Sequence, residues 1–285
     1  VDEVVFLLRP RREGWVIDGT VGMGGHAEAL LETSSSEVRL LGLDADPEAL
    51  RQAGPRLARF GRRARLVHTS FANLGSVAAD EGVDEAQAIL FDLGISSWQL
   101  EDSGRGFSFQ HEDEPLDMRL DPTQGETAVD LLNQMSEADL ADLLYAGGED
   151  RHARRIARVI VRRRPLATTG DLVAAVRAAV PRAAWPRRLH VATRTFQAVR
   201  MAVNDEPGAL GRALEAGPRL LARGGRLGVI AFHSGEDRIV KQTFRKLEGA
   251  GFAALEPSPL PPGDDEVRAN PRARSAKLRV LERLQ

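Results

Sequence analysis

The sequence predicts an α/β protein built on a parallel, doubly wound sheet, with an all-helical domain inserted into the chain. Three observations predict it. Short apolar strands and helical segments alternate over roughly the first 93 residues. Beyond Asp92-Leu-Gly-Ile-Ser-Ser97 only helical spacing appears for about a hundred residues. An apolar strand, Arg226 to Phe232, then returns late in the chain.

The elements follow in order. A strand at 15–19 runs into Asp18-Gly-Thr-Val-Gly-Met-Gly-Gly-His26 and an Ala/Leu-rich helix reaching about residue 32. Glycine has no Cβ and tolerates positive φ, so this loop can press backbone N–H groups against a ligand. A strand at 38–43 ends at Asp44, about twenty residues past the loop, where nucleotide-binding folds hold ribose hydroxyls with a carboxylate. Asp46 precedes Pro47 and reads instead as the N-cap of a helix over 47–59. Strands at 65–69 and 87–93 complete the first half, and 103–126 is an acidic loop. Helical spacing covers 128–145, 151–164, 169–180 and 191–203. Asn204-Asp205-Glu-Pro207 starts another helix, which Gly224-Gly225 ends. Segments 252–256 and 276–284 supply the last strands. The expected division is a discontinuous core, 1–103 and 201–285, around a helical domain, 104–200.

The glycine pattern bears on the ligand. Gly22-Met-Gly-Gly25 lacks the third glycine of the dinucleotide fingerprint Gly-x-Gly-x-x-Gly, which weakens a nicotinamide reading. S-adenosylmethionine, with an adenosine and a zwitterionic tail but no phosphate, suits a glycine loop followed by a ribose carboxylate.

Composition narrows the class. The 285 residues contain no cysteine, which excludes disulfides and thiolate-bound zinc, and no run approaches the roughly 20 apolar residues of a membrane span. A cytoplasmic protein with no membrane association is expected, and the histidines show no metal-ligand spacing. Oligomeric state leaves no mark in the sequence. Net charge is −2, yet residues 101–150 carry 14 acids against two arginines, and 151–200 carry 13 arginines against Asp171. Blocks of opposite sign either neutralise each other within the fold or leave a basic face for a polyanion.

Several separate stretches together resemble the RsmH/MraW family of ribosomal RNA methyltransferases. They are the glycine loop 18–26, Asp92-Leu-Gly-Ile-Ser-Ser-Trp-Gln-Leu100, Arg105-Gly-Phe-Ser-Phe109, Pro115-Leu-Asp-Met-Arg119, Ala192-Thr-Arg-Thr-Phe-Gln-Ala-Val-Arg200 with Asn204-Asp-Glu206, Phe232-His-Ser-Gly-Glu-Asp-Arg-Ile-Val-Lys241 and Asn270-Pro-Arg-Ala-Arg-Ser-Ala-Lys277. The chain departs from the family pattern at Trp98, Val191 and Gly235, none of which removes a charge, and the family's His-x-Pro-Val-Leu segment is absent ahead of Val1.

The resemblance implies a class I, Rossmann-like S-adenosyl-L-methionine-dependent methyltransferase core. It also implies methylation of the exocyclic N4 of one cytidine of 16S rRNA, in the decoding centre of the small ribosomal subunit. By position it implies cofactor contacts at Gly24, Gly25, His26, Asp44, Phe71, Asp92 and Gln99. Catalytic candidates are Asp92, His233 and Ser234. Asp92 either accepts from the cytosine amino group or binds the amino-acid part of the cofactor, and His233-Ser234 either faces the ligand or caps the following helix. Arg151, Arg155, Arg158 and Arg162 recur at helical spacing and form one RNA candidate, with Arg194, Gln197 and Arg200 the second. Trp98, Phe107 and Phe109 are either stacking platforms for an extruded base or core aromatics.

Overall fold

The computed structural model describes residues 1–10, 13–149, 151–187 and 189–285. Its first elements are α1 (Asp2–Leu8), β1 (Gly14–Asp18), α2 (Gly25–Glu32), β2 (Val38–Asp44), α3 (Pro47–Leu57), β3 (Ala64–His68), α4 (Leu74–Asp80) and β4 (Ala86–Asp92). Next come α5 (Ser97–Glu101), α6 (Ala128–Gln134), α7 (Glu137–Ala146), α8 (Ala153–Arg163), α9 (Thr169–Ala179) and α10 (Thr193–Val203). The chain finishes with α11 (Glu206–Leu220), β5 (Leu221–Ala231), α12 (Ser234–Leu247), β6 (Phe252–Ala254), α13 (Asp264–Ala269) and β7 (Lys277–Arg283).

Chain contacts divide the molecule into two compact units, Val1–Gly94 with Pro207–Gln285, and Ile95–Glu206. The first holds one seven-stranded sheet in the order β3-β2-β1-β4-β5-β7-β6. Strands β1 to β5 pair in parallel, while β7 runs antiparallel to β5 and to β6. This is the class I methyltransferase arrangement implied by the resemblance. The central strands read as unbroken apolar runs because both faces are covered. Leu40, Leu41 and Leu43 of β2 and Ala88 to Phe91 of β4 are fully enclosed. On one face lie Val4 and Leu8 of α1, Leu30 and Leu31 of α2 and Leu57 of α3; on the other lie Leu74 of α4, Leu210 and Leu214 of α11 and Phe244 of α12.

The order of strands reverses between β1 and β4, since β2 and β3 lie to one side and β5 to the other. Ligands of open α/β sheets bind at the carboxyl ends of the strands flanking such a reversal. Asp18 and Asp92 are the last residues of those two strands.

Some expectations need correction. The helix expected at 128–145 is two helices, because Met135 turns extended and Ser136 caps α7 by accepting from the Asp139 N–H. Gly224-Gly225 does not end α11, which stops at Leu220; the pair lies inside β5, where the register passes from Ala86 opposite Leu221 to Ala88 opposite Arg226. The extra residues there form a bulge. The unit boundaries fall at 94/95 and 206/207 rather than 103/104 and 200/201. Ile95, Leu100 and Val203 pack on the helical core, and the Asn204 side chain bonds Leu120 N–H and Met118 C=O at 2.7 and 2.8 Å.

The second unit is helical, its core drawn from Leu132, Leu140, Leu144, Ile156, Ile160, Leu172, Val176 and Phe196 among others. Gly147, at the C-cap of α7, permits close approach to α10, since a Cβ there would lie 2.2 Å from the Ala198 Cβ. Gly147→Ala is expected to destabilise the protein by about 1–3 kcal/mol, the usual cost of overpacking, with urea unfolding as the check.

Candidate functional site

Three strands end in carboxylates, Asp18 on β1, Asp44 on β2 and Asp92 on β4, and the glycine loop is laced to all three. The Thr20 N–H donates to Asp18 Oδ1 at 3.1 Å, and the Asp92 N–H donates to Thr20 Oγ1 at 2.7 Å. Asp44 Oδ2 accepts from the Gly22 N–H at 2.8 Å and its Oδ1 from the Asp46 N–H at 2.9 Å. Asp46 caps α3 by accepting from the Glu48 N–H at 3.0 Å, with Pro47 at the first turn. Asp46 thus has the capping place that its sequence context suggested.

Glycine is required at two points of the loop. Gly24 is the N-cap of α2 at φ 82°, and a Cβ on Gly19 would lie 2.6 Å from the Phe91 ring. Phe71 sits in a short 3-10 turn with its ring tilted 37° to that of Phe91, centroids 5.5 Å apart. Gly25 and His26 open α2.

The electrostatics of these carboxyl groups are unusual. Asp18 is 1% exposed, and burial pushes its pKa up to about 7. Burial also pushes Asp92 up to about 7 and Asp44 up to about 6, the latter against the two backbone N–H groups that favour its charge. Burial lowers His26 to about 4. Its Nδ1 lies 3.6 Å from Asp92 Oδ2, so at neutral pH a neutral imidazole, rather than a cationic partner, faces the Asp92 carboxyl group. Asp18 Oδ2 and Asp92 Oδ1 are both enclosed without a hydrogen-bond partner.

This donor set fits S-adenosylmethionine. Carboxylates accept from ribose hydroxyls and attract the sulfonium and ammonium charges, and Asp44 retains lone pairs beyond its two backbone bonds. Asp18 is a candidate that the sequence reading left without a role. The available signal was its place at the strand end ahead of the loop.

The other candidates fall as follows. His233 is the N-cap of α12: its Nδ1 accepts from the Gly235 and Glu236 N–H groups at 3.2 and 3.4 Å. Glu236 completes the box by accepting from the Phe232 and His233 N–H groups. The capping alternative thus accounts for His233, and Ser234 is the first residue of the helix it starts. Gln99 belongs to the helical unit, buried, exchanging hydrogen bonds with Ser96 at 2.9 and 3.1 Å in the cap of α5.

In the helical unit Arg151, Arg155, Arg158 and Arg162 are all exposed, while Ile156 and Ile160 of the same stretch are buried. Arg158 meets Glu137 at 3.3 Å and Arg177 meets Glu112 at 3.8 Å, so part of the charge opposition is neutralised within this unit. Arg151 and Arg194 come together, bordering one cavity of about 420 Å³ with His152, His190 and Thr193. Gln197 is half-buried. Arg200 is not a surface contact: it grips Glu206 with two bonds of 2.7 and 2.9 Å, each side chain 14% exposed. Phe107 is a core residue, and Phe109 stacks on His190 with centroids 4.4 Å apart. Trp98 remains half-buried, with the Arg105 guanidinium 5.5 Å from its ring.

Among the described residues no helix is long and apolar enough to cross a membrane. Residues 1–284 match the sequence profile of the MraW methylase family. A protein of Geotalea uraniireducens named ribosomal RNA small subunit methyltransferase H is 48% identical over 301 aligned positions, covering 99% of this chain and 96% of the relative. A like-named protein of Kosmotoga olearia is 45% identical over 286 positions, covering 100% and 96%. Among solved structures, an rRNA methylase from Streptococcus thermophilus aligns at TM-score 0.44 and 15% identity, over 100% of this chain and 93% of its own.

Proposed function

The chain belongs to the MraW methylase family and takes S-adenosylmethionine as its cofactor; from that premise we propose that it methylates N4 of a single cytidine of 16S rRNA in the small ribosomal subunit, at the decoding centre. The observation that carries the cofactor half of this reading is the glycine loop bonded to the Asp18 and Asp44 carboxyl groups and to the Asp92 backbone at the switch point of the sheet. The RNA half is supported by the exposed arginines of α8 and by the relatives' names.

The bound cofactor supplies an electrophilic methyl group on a positively charged sulfur. Asp44 would hold the ribose hydroxyls and Phe71 would lie beside the adenine. Asp18 and Asp92 would hold the cationic end of the cofactor, and the neutral His26 its polar tail. A cytosine amino group is a poor nucleophile, so the remaining task is alignment. The backbone carbonyls that follow Asp92 accept its hydrogens and hold the lone pair toward the methyl group. Arg151, Arg155, Arg158 and Arg194 contact phosphates.

Incubation with methyl-labelled S-adenosylmethionine and unmodified small subunits, followed by digestion and mass spectrometry, tests the proposal. N4-methylcytidine at one position is expected; label in another nucleoside, or in DNA added as competitor, defeats it. Asp44→Ala is expected to weaken cofactor binding by about 1–3 kcal/mol, the cost of losing a charge-assisted hydrogen bond. Calorimetric titration checks this, and unchanged affinity removes Asp44 from the ribose site.

A further inference from the structure

We infer that the site at the ends of β1 and β4 takes up S-adenosylmethionine with release of a proton from its carboxyl groups, and thereby ranks the sulfonium cofactor above its thioether product. The inference rests on the placement of the cofactor against Asp18, Asp44 and Asp92 proposed above.

The geometry carries it. Asp18 and Asp92 end neighbouring parallel strands, and each uses one oxygen within the fold: Asp18 Oδ1 on the Thr20 N–H, Asp92 Oδ2 facing His26. The other oxygen of each is enclosed and has no hydrogen-bond partner. The charged groups that act on Asp18 are Asp92 and Asp44, so two neighbouring strands both present acids. Those acting on Asp92 are Glu236 from α12 and Glu266 from α13, both of which disfavour its charge, and the amino group of Val1, which favours it. Asp44 meets Asp46 and His68. The His26 imidazole of α2, 3.6 Å from Asp92 Oδ2, is itself held neutral by burial.

A carboxylate drawn out of water with an enclosed, unpartnered oxygen is costly to ionise, so Asp18 and Asp92 each hold a proton more tightly than a free aspartate does. A cation arriving beside them reverses the balance. The O–H bond of the carboxylic acid breaks with its electron pair left on oxygen, and the proton passes to solvent. The cofactor brings two cationic centres, the sulfonium and the ammonium. After methyl transfer the sulfur is a neutral thioether and only the ammonium remains, so a carboxylate recovers a proton from solvent and the product is held less tightly. Asp18 is the residue that confers this ranking, because it combines the deepest burial with an unused oxygen.

Calorimetric titration of the intact protein at pH 6.5, in two buffers of different ionisation enthalpy, counts the protons released. About one proton per S-adenosylmethionine bound is expected, and distinctly fewer with S-adenosylhomocysteine. The affinity ratio of cofactor to product is expected to rise between pH 6 and 8, and Asp18→Asn to lower that ratio by roughly tenfold or more, since one charge interaction at about 4 Å spans about fivefold at the dielectric of water to about a thousandfold at an effective dielectric near 20. Equal or zero proton counts for the two ligands in the wild-type protein overturn the inference without any variant. An unchanged ratio in Asp18→Asn, or in Asp92→Asn if the former does not fold, overturns the assignment of residues. If Asp44→Ala leaves cofactor affinity intact, the placement of the cofactor itself fails. If Asp44→Ala weakens binding but no proton difference exists, the placement stands and only the coupling falls.

Discussion

Asp18→Asn is expected to make the cofactor-free protein more stable at pH 8 while it weakens cofactor binding. The folded pKa of Asp18 is raised to about 7, above the roughly 3.9 of a free aspartate. Between those values the folded state holds a proton that the unfolded chain has lost, so stability falls as pH rises through that window. Above about pH 7 the whole penalty is present. Three pH units correspond to about 4 kcal/mol, and because neighbouring acids relax when one charge is removed, a gain on the order of 2–3 kcal/mol is expected from the amide. For a chain of this size that is an increase in Tm of about 3–5 °C. The amide keeps the Oδ1 acceptor for the Thr20 N–H, so the loop bond survives. His26 works in the opposite sense: its lowered folded pKa makes stability rise with pH from about 4 to 6.5. The two effects oppose each other in the wild-type profile below pH 6.5, and the difference between wild type and variant isolates Asp18. Melting curves without cofactor at pH 5 and pH 8 are the check. A variant less stable than wild type at pH 8 would mean that the carboxylate is held by interactions within the fold. A gain in stability with a loss of affinity marks a charge retained for its ligand at a cost to folding.

The same burial explains what was legible in the sequence. Strands β2 and β4 announced themselves because a parallel strand covered on both faces is a continuous apolar run, and their ends lie within about a residue of those expected. Asp44 and Asp46 were separable because Pro47 follows the second and marks a helix start. Asp18 carried no such local signal. Its significance comes from three strand ends lying side by side, which depends on pairings between distant parts of the chain. The bulge in β5 was hidden for a related reason: Gly224-Gly225 reads as a helix stop, and only the pairing with β4 shows that the strand has already begun. Chain contacts divide the molecule a few residues from the expected bounds, because Ile95, Leu100 and Val203 are apolar whichever core receives them. Arg200 lies on the same helix as Arg194, yet Glu206, which it grips, lies past the end of α10, where helical spacing predicts nothing.

Reversing both Arg155 and Arg158 to glutamate is expected to weaken RNA binding by roughly a hundredfold at low salt, from two lost phosphate contacts and two added repulsions. The slope of log affinity against log salt is expected to become shallower by about 1.4–1.8, at 0.7–0.9 for each contact. Cofactor affinity is expected to stay at the wild-type value, because both arginines lie on α8 of the helical unit whereas the glycine loop and its carboxylates belong to the other. Folding is also expected to be spared. Arg158 and Glu137 are 56% and 46% exposed, and an exposed pair of this kind contributes at most about 1 kcal/mol. Arg200→Ala supplies the contrast. It strips Glu206 of a partner in a pair only 14% exposed, so it is expected to lower Tm and leave the salt slope of the folded protein unchanged. Titration of fluorescent 16S rRNA fragments over a salt series reads both variants. A reversed stripe with an unaltered slope would assign the arginines of α8 to neutralising the acidic residues of their own unit, as Arg158 already does with Glu137. A shallower slope for the reversal but not for Arg200→Ala would assign phosphate binding to the exposed face of α8 by the one property, counterion release, that an internal ion pair does not have.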